Sequence, residues 1–221
     1  MTVRDPRLHA FRPDLADARL RGEVDAARFV EGRPARIAIP VADLRNAPRP
    51  DSGLATQALL GDDVRVFDVG EGWAWIQLER DGYVGYIPDT VFGERGPVLS
   101  HLVTVPRTFI YPGPDLKQPT TGALSMGSRL AVAGSAETRG TRYALLASGE
   151  AVVEKHLAPL SWRADDFVTV AERFLDTPYL WGGVSGFGID CSGLVQLSMR
   201  MAGADVLRDS DMQAATIGLV V

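Results

Sequence analysis

Between Ile37 and Pro159 apolar residues fall in short alternating runs, such as Val64-Arg65-Val66 and Trp75-Ile76-Gln77-Leu78, each broken by Gly, Pro or Asp. A period of two puts one set of side chains on one face of a strand, so this stretch predicts small antiparallel sheets. Upstream, residues 1–34 are rich in Arg, Asp and Ala. Asp14-Leu15-Ala16-Asp17-Ala18-Arg19-Leu20 predicts a short helix there, and the segment has too few apolar residues for its own core, so it reads as an arm lying on the next unit. After Pro159 the period lengthens. Phe167, Val168, Val170, Ala171, Phe174 and Leu175 form a helical stripe that Asp165 or Asp166 can cap and Thr177-Pro178 stops. A second helix is predicted from Cys191 to about Ala202. Leu194, Val195, Leu197, Met199 and Met201 supply its buried side, and Gly203 follows its end.

The β region contains two similar halves. Gly61-Asp62-Asp63-Val64-Arg65-Val66, Trp75-Ile76-Gln77-Leu78, Asp81-Gly82 and Val84-Gly85-Tyr86-Ile87-Pro88 have counterparts in Gly127-Ser128-Arg129-Leu130-Ala131-Val132, Tyr143-Ala144-Leu145-Leu146, Ser148-Gly149 and Ala151-Val152-Val153. Each half has a glycine-led strand, a second strand, a tight turn suited to a hairpin and a further strand, at an offset of about 66 residues. An internal duplication, one small barrel per copy, follows from this spacing. A generic pair of β-meanders is the alternative.

The chain has 221 residues, 46% hydrophobic and 23% charged, the profile of a globular protein with room for two domains, or three small ones. Its formal charge of −5 offers no global positive field for phosphates, so nucleic acid is not an expected partner. No apolar run approaches membrane-spanning length and the first residues are charged rather than leader-like, so the expectation is a cytoplasmic protein with no membrane partner. A single cysteine, Cys191, permits no internal disulfide and no thiolate cluster, so no metal or other cofactor is expected.

That thiol sits in a chemically loaded segment. Four glycines in seven residues, Gly182, Gly183, Gly186 and Gly188, let the backbone turn toward the helix that Cys191 opens. Unpaired amides and the positive dipole end at a helix start stabilise a thiolate and can donate to an oxyanion. Asp190 opposes a second negative charge beside it, so a basic partner, normally histidine, is required. A lone cysteine at a helix start also reads as small buried filler.

Tyr179-x-Trp181-Gly182-Gly183 followed by Asp190-Cys191-Ser192-Gly193-Leu194-Val195 closely resembles the nucleophile segment of the NlpC/P60 cysteine peptidases. The two β halves resemble bacterial SH3 modules, the first more clearly through Gly82-Tyr83-Val84-Gly85-Tyr86-Ile87-Pro88. Together they are similar to the branch of γ-D-glutamyl-L-diamino acid endopeptidases that trim murein peptides bearing a free N-terminal L-alanine. The resemblance implies a multidomain chain, mainly β then α+β: two SH3-like β-barrels followed by the N-terminal helical part of a papain-like NlpC/P60 domain. The expected divisions are an arm at 1–34, SH3-like domains at 35–96 and 97–160, and a partial peptidase domain at 161–221.

Carried over by position, the resemblance implies that Cys191 is the nucleophile and that the Tyr179 hydroxyl reaches the substrate or oxyanion. Asp190 would pair with the substrate's ammonium group, Ser192 and Ser210 would add hydrogen bonds, and Tyr83 would wall off the pocket. Each also has a plainer reading: Asp190 as a helix cap, Ser192 and Ser210 as partners of local backbone, Tyr83 as a hairpin aromatic. The implied partners are short murein peptides, recycled in the cell.

The resemblance also implies a histidine on strands well after the nucleophile helix. Thirty residues follow Cys191 and none is histidine, while His9, His101 and His156 all lie upstream and read as surface residues. The expectation is a C-terminally truncated chain, its histidine and strands supplied by a separate segment if at all. A non-catalytic SH3-type peptide-binding remnant is the competing reading.

Overall fold

The computed structural model describes residues 4–218. Its first element is a strand where a helix is expected: β1 (Leu15–Asp17) pairs in parallel with β2 (Arg28–Val30), and only Ala18–Leu20 forms a 3-10 turn. Asp17 is the reason. Its carboxylate accepts from the Arg19 amide and ion-pairs with the Arg19 guanidinium, a local alternative to helical bonding. The segment lies on its neighbour as an arm. Ala10 and Leu15 are buried against Phe67 and Trp75, and the Arg12 guanidinium stands 4.4 Å above the Trp75 ring.

Seven strands follow: β3 (Arg33–Ile37), β4 (Val41–Arg45), β5 (Leu54–Leu59), β6 (Asp63–Gly70), β7 (Trp73–Leu78), β8 (Val84–Pro88) and β9 (Phe92–Gly93). They form one antiparallel sheet in the order β5-β4-β8-β7-β6-β3-β9. The alternation of the sequence is visible in burial. Val64, Val66, Ala74, Ile76, Leu78 and Ile87 meet Ile37 and Leu44 in one core, while Arg65 and Gln77 point away from it.

The next unit has β10 (His101–Val103), β11 (Arg107–Ile110), β12 (Gly122–Ser125), β13 (Arg129–Leu130), β14 (Val132–Thr138), β15 (Thr141–Leu146), β16 (Ala151–Val153) and β17 (Leu157–Pro159). Its pairings follow those of the first unit. β10 lies between β13 and β17 as β3 lies between β6 and β9, and β11 pairs with β12 as β4 pairs with β5. The β6–β7 ladder shifts register between Val66 and Asp68, and the β14–β15 ladder does so between Val132 and Gly134. Both hairpins turn through two residues of positive φ, Glu71-Gly72 and Arg139-Gly140, the turn whose twist matches paired strands. The second unit differs in being split among three small sheets around its own core of Val103, Ile110, Leu124, Leu130 and Val152.

The last unit has α1 (Phe167–Glu172), β18 (Val184–Ser185), β19 (Gly188–Ile189), α2 (Cys191–Met201) and α3 (Ser210–Thr216). Asp166, rather than Asp165, caps α1 by accepting from the amides of Val168 and Thr169. The predicted stripe is only partly buried. Val170 and Phe174 pack with Leu197, Met201 and Met126 of the second unit, whereas Phe167, Val168 and Leu175 are exposed. The α-helix ends at Glu172, and tighter bonds from the amides of Arg173, Phe174 and Leu175 to carbonyls three residues back carry the chain to Asp176, which takes a left-handed backbone, φ 64°. In α2 the buried side comes from Leu197 and Met201, with Leu194 and Met199 half-buried and Val195 exposed.

This unit is fastened to both β units by specific bonds. The Val184 amide donates to the Gln57 side chain (3.2 Å), the Gly186 amide to Ser125 Oγ (2.9 Å), and Gln196 to Asp81 (3.0 Å). Among the described residues no helix is long and apolar enough to cross a membrane.

Ile76 is fully enclosed at the centre of the first core. Ile76→Ala is expected to lower unfolding free energy by about 2–5 kcal/mol, as measured by urea titration monitored by Trp fluorescence.

Candidate active site

The site is organised by the start of α2. Cys191 is its first residue and is exposed. Asp190 precedes it in extended backbone and caps the helix: its Oδ1 accepts from the Gly193 amide at 2.6 Å and its carbonyl from the Leu194 amide at 2.9 Å. Its Oδ2 accepts from the Gly182 amide (2.8 Å), so one carboxylate closes the glycine-rich turn onto the helix. Gly193 lies so close to that turn that a Cβ there would fall 2.2 Å from the Gly183 carbonyl oxygen.

Arg208 holds the carboxylate from the other side. Its Nη2 lies 2.7 Å from Asp190 Oδ2 and its Nη1 3.1 Å from Oδ1, a two-pronged ion pair. Nη1 also donates to Ser192 Oγ (2.8 Å), and Nε donates to Thr56 Oγ1 of β5 (2.8 Å). The guanidinium is 1% exposed and Thr56 is fully buried. Burial acts to raise the Asp190 carboxyl, but bonds from Arg208 and from the Gly193 and Gly182 amides outweigh it and hold it below its ordinary value.

Beside this pair lies a second acidic group. Asp209 Oδ2 accepts from the Tyr83 hydroxyl (3.0 Å) and from Arg7 of the arm (2.9 Å). Burial and the Asp209 carboxylate push the Tyr83 phenol well above its usual range, so it stays a donor. Because Asp209 spends its side chain on these partners, it makes no side-chain cap bond to α3. Gln213 ties α3 back, donating to the carbonyls of Ser192 and Leu207, both at 2.9 Å.

All six residues singled out in the sequence lie in or next to this network. Tyr179 is exposed, bridges by its backbone to Ile189, and its hydroxyl is raised by partial desolvation and by the neighbouring Cys191 and Asp190. Asp190 and Ser192 are buried and engaged with Arg208. Ser210 is exposed at the first turn of α3, and Tyr83 is buried against Asp209. Sequence reasoning missed Arg208, Asp209 and Thr56. The run Leu207-Arg208-Asp209-Ser210 carries a signal for the first two, a charged pair directly before a helix start, but nothing local to Thr56 marks it.

The histidines are bonded elsewhere. His9 reaches the Asp5 carbonyl and Arg4, His101 reaches Ser100 Oγ, and His156 reaches Thr108 Oγ1 at 2.8 Å. Burial, with Lys155 nearby, lowers the His156 imidazole. Among the described residues none is hydrogen-bonded to Cys191.

Removing one partner of a buried ion pair strands the other. Arg208→Met is expected to cost about 3–5 kcal/mol near neutral pH by denaturant titration. In the wild type, the lowered Asp190 carboxyl contributes stability above its unfolded value of 3.8, lost as pH falls through the lower folded value. In the variant burial favours the protonated carboxyl, so the gap between the two proteins is expected to narrow toward about pH 3. A pH-independent gap contradicts the assignment.

Residues 44–91 match the model of the bacterial dipeptidyl-peptidase SH3 domain, and residues 176–218 match the NlpC/P60 family. The chain is 30% identical over 182 residues to a γ-D-glutamyl-L-lysine dipeptidyl-peptidase of Bacillus cereus, covering 73% of this chain and 54% of that protein. It is 27% identical over 180 residues to the protein of the same name from Bacillus subtilis, covering 74% and 58%. The chain thus spans little more than half the length of these curated relatives. A crystal structure of an NlpC/P60 family protein from Bacillus cereus superposes with a TM-score of 0.69 at 25% identity, covering 86% of this chain and 78% of that one. An NlpC/P60 endopeptidase from Photobacterium damselae shares the fold alone, with a TM-score of 0.55 at 19% identity over 83% and 46%. A match to the SH3 domain of bacterial dipeptidyl-peptidases thus lies ahead of a match to the NlpC/P60 family that contains Cys191.

Proposed function

We propose that this chain is the substrate-recognition and nucleophile portion of a cysteine peptidase that cleaves γ-D-glutamyl-diamino acid bonds in short murein peptides with a free N-terminal L-alanine. The observation that carries the reading is an exposed thiol at a helix start capped by Asp190, beside the Tyr179 phenol, with the Tyr83–Asp209 pair joined to the same network through Arg208. In this reading the Cys191 thiolate attacks the γ-D-glutamyl carbonyl carbon. The amides of Cys191 and Ser192, the first-turn N–H groups that Asp190 does not take, hold the oxyanion with help from the Tyr179 hydroxyl. The leaving amine takes a proton from a histidine, and water then cleaves the thioester.

The ammonium group is better matched to Asp209 than to Asp190. Asp190 already has both oxygens occupied by Arg208 and two backbone amides. Asp209 is a partly exposed carboxylate at the junction of Tyr83, Arg7 and α3. Ser210 lines the same end, and Ser192 acts through Arg208. Tyr83 limits how far a peptide extends past its amino terminus, which favours short recycled peptides, and with them a cytoplasmic setting, over intact wall. The repeated pairing and matching hairpin turns support a second SH3-like barrel over 97–160 behind the first at 35–96, with the peptidase unit from 161 onward.

Since no histidine is bonded to Cys191 among the described residues, the base comes, in this reading, from a segment outside them. The exposed Phe167, Val168 and Leu175 beside α2 are the surface that its strands would cover. A peptide-binding chain without catalysis shares these recognition residues and differs in lacking that segment.

Recognition is testable on the chain as it stands. L-Ala-γ-D-Glu is expected to slow alkylation of Cys191 by iodoacetamide at least fivefold, N-acetyl-L-Ala-γ-D-Glu is not, and Asp209→Asn is expected to abolish the protection. Equal protection by both peptides, or none, contradicts the reading.

A further inference from the structure

Away from Cys191, at the opposite end of α2, four arginines from three units converge on one cavity of about 380 Å³. Arg80 follows β7 of the first unit, Arg129 opens β13 of the second, and Arg163 and Arg200 belong to the last. Asp205, exposed at the rim, is the acidic group in the lining, and Leu102, Leu160 and Met201 give it an apolar side. On a chain whose formal charge is −5, this is a strong local reversal of sign.

The charges behind the wall do not account for it. Arg80 is neutralised, with Nη1 2.6 Å from Asp62 and Nε 3.3 Å from Asp81. Arg129, Arg163 and Arg200 have no carboxylate within 4.0 Å among the described residues. Arg163 donates only to the carbonyls of Leu160 and Trp162. Arg200 feels Asp62 and Asp81 at longer range, yet burial and the neighbouring Arg80 and Arg129 bring its guanidinium down to about 10, so it stays charged at neutral pH while opposed by like charges. A cation in the last turn of a helix suits the helix dipole, which explains Arg200 but not Arg129 or Arg163.

The backbone makes room for these groups. A Cβ at Gly127 would meet Arg200 Nη2 at 3.2 Å, and one at Gly203 would meet Arg163 Cδ at 2.9 Å. Both glycines have positive φ, 89° in each case. Two arginines are therefore laid against bare backbone at the cavity wall.

We propose that this cavity binds a small oxyanion carrying at least two negative charges, gripped by Arg129, Arg163 and Arg200 at the junction of the three units. Guanidinium forks match phosphate and carboxylate oxygens in pairs, and the volume is within the range of small-ligand sites. Such a ligand relieves the repulsion among the three guanidinium groups and joins the first and second units to the far end of the helix that carries Cys191. This site is independent of the proposed peptidase reaction.

Isothermal titration calorimetry of the 221-residue chain with sodium pyrophosphate, and separately with citrate, at fixed ionic strength tests it. One saturable site is expected, with Kd raised at least tenfold in Arg200→Gln and Arg129→Gln and unchanged in Arg49→Gln, an exposed arginine outside the cavity lining. Arg163→Gln alters only the exposed mouth, so it is expected to fold normally and raise Kd at least threefold even if the half-buried Arg129 and Arg200 variants unfold. Binding of pyrophosphate alone assigns a phosphate ligand, and of citrate alone a carboxylate. No saturable binding by either anion, or binding unaffected by Arg163→Gln, overturns the proposal.

Discussion

The Asp190–Arg208 ion pair is the constraint on which the rest of the site depends. One carboxylate caps the helix that begins at Cys191, closes the glycine turn before it, and is held by a guanidinium that also reaches Ser192 and Thr56. Buried charge of this kind is costly unless every oxygen and N–H finds a partner. Here both carboxylate oxygens accept two bonds or more and the guanidinium donates from all three nitrogens. The arrangement spans β5 of the first sheet and the loop before α3, so the position of the thiol is coupled to that sheet.

That coupling gives the β units a role beyond support. Thr56 and Gln57 on β5 bond directly to the last unit, and Tyr83 after β7 reaches Asp209. The residues proposed to select a peptide and the residue proposed to attack it therefore come from different units, joined by hydrogen bonds as well as by apolar contact. The second unit contributes differently. Met126 enters the core between α1 and α2, and Ser125 and Arg107 hold the tip of the β18–β19 hairpin through Gly186.

Much of the fold was legible in the sequence. Period-two alternation through Val64 to Leu78 anticipated the sheets because that signal is local. Asp81-Gly82 and Ser148-Gly149 do lie between β7 and β8 and between β15 and β16, but the matching two-residue turns at Glu71-Gly72 and Arg139-Gly140 were not singled out. The α2 helix was legible from its glycine turn, its cap and Gly203. Asp14 to Leu20 misled because an arm with no core takes its structure from side-chain bonds and from its neighbour, and Asp17 bonds locally instead of helically. The stripe of α1 misled in extent, since a periodic pattern marks faces that can be covered, not faces that are. In the site, the run from Tyr179 to Val195 identified the thiol and its flanks. It could not identify Arg208 as the partner of Asp190, nor Thr56 as the partner of Arg208, because those contacts join positions 18 and 152 residues apart.

A double-mutant cycle with Asp190→Asn, Arg208→Met and the pair together, read as unfolding free energy at neutral pH, tests most directly whether this ion pair organises the site. The account predicts a coupling of about 2–3 kcal/mol between the two positions. Additivity within about 0.5 kcal/mol would contradict it.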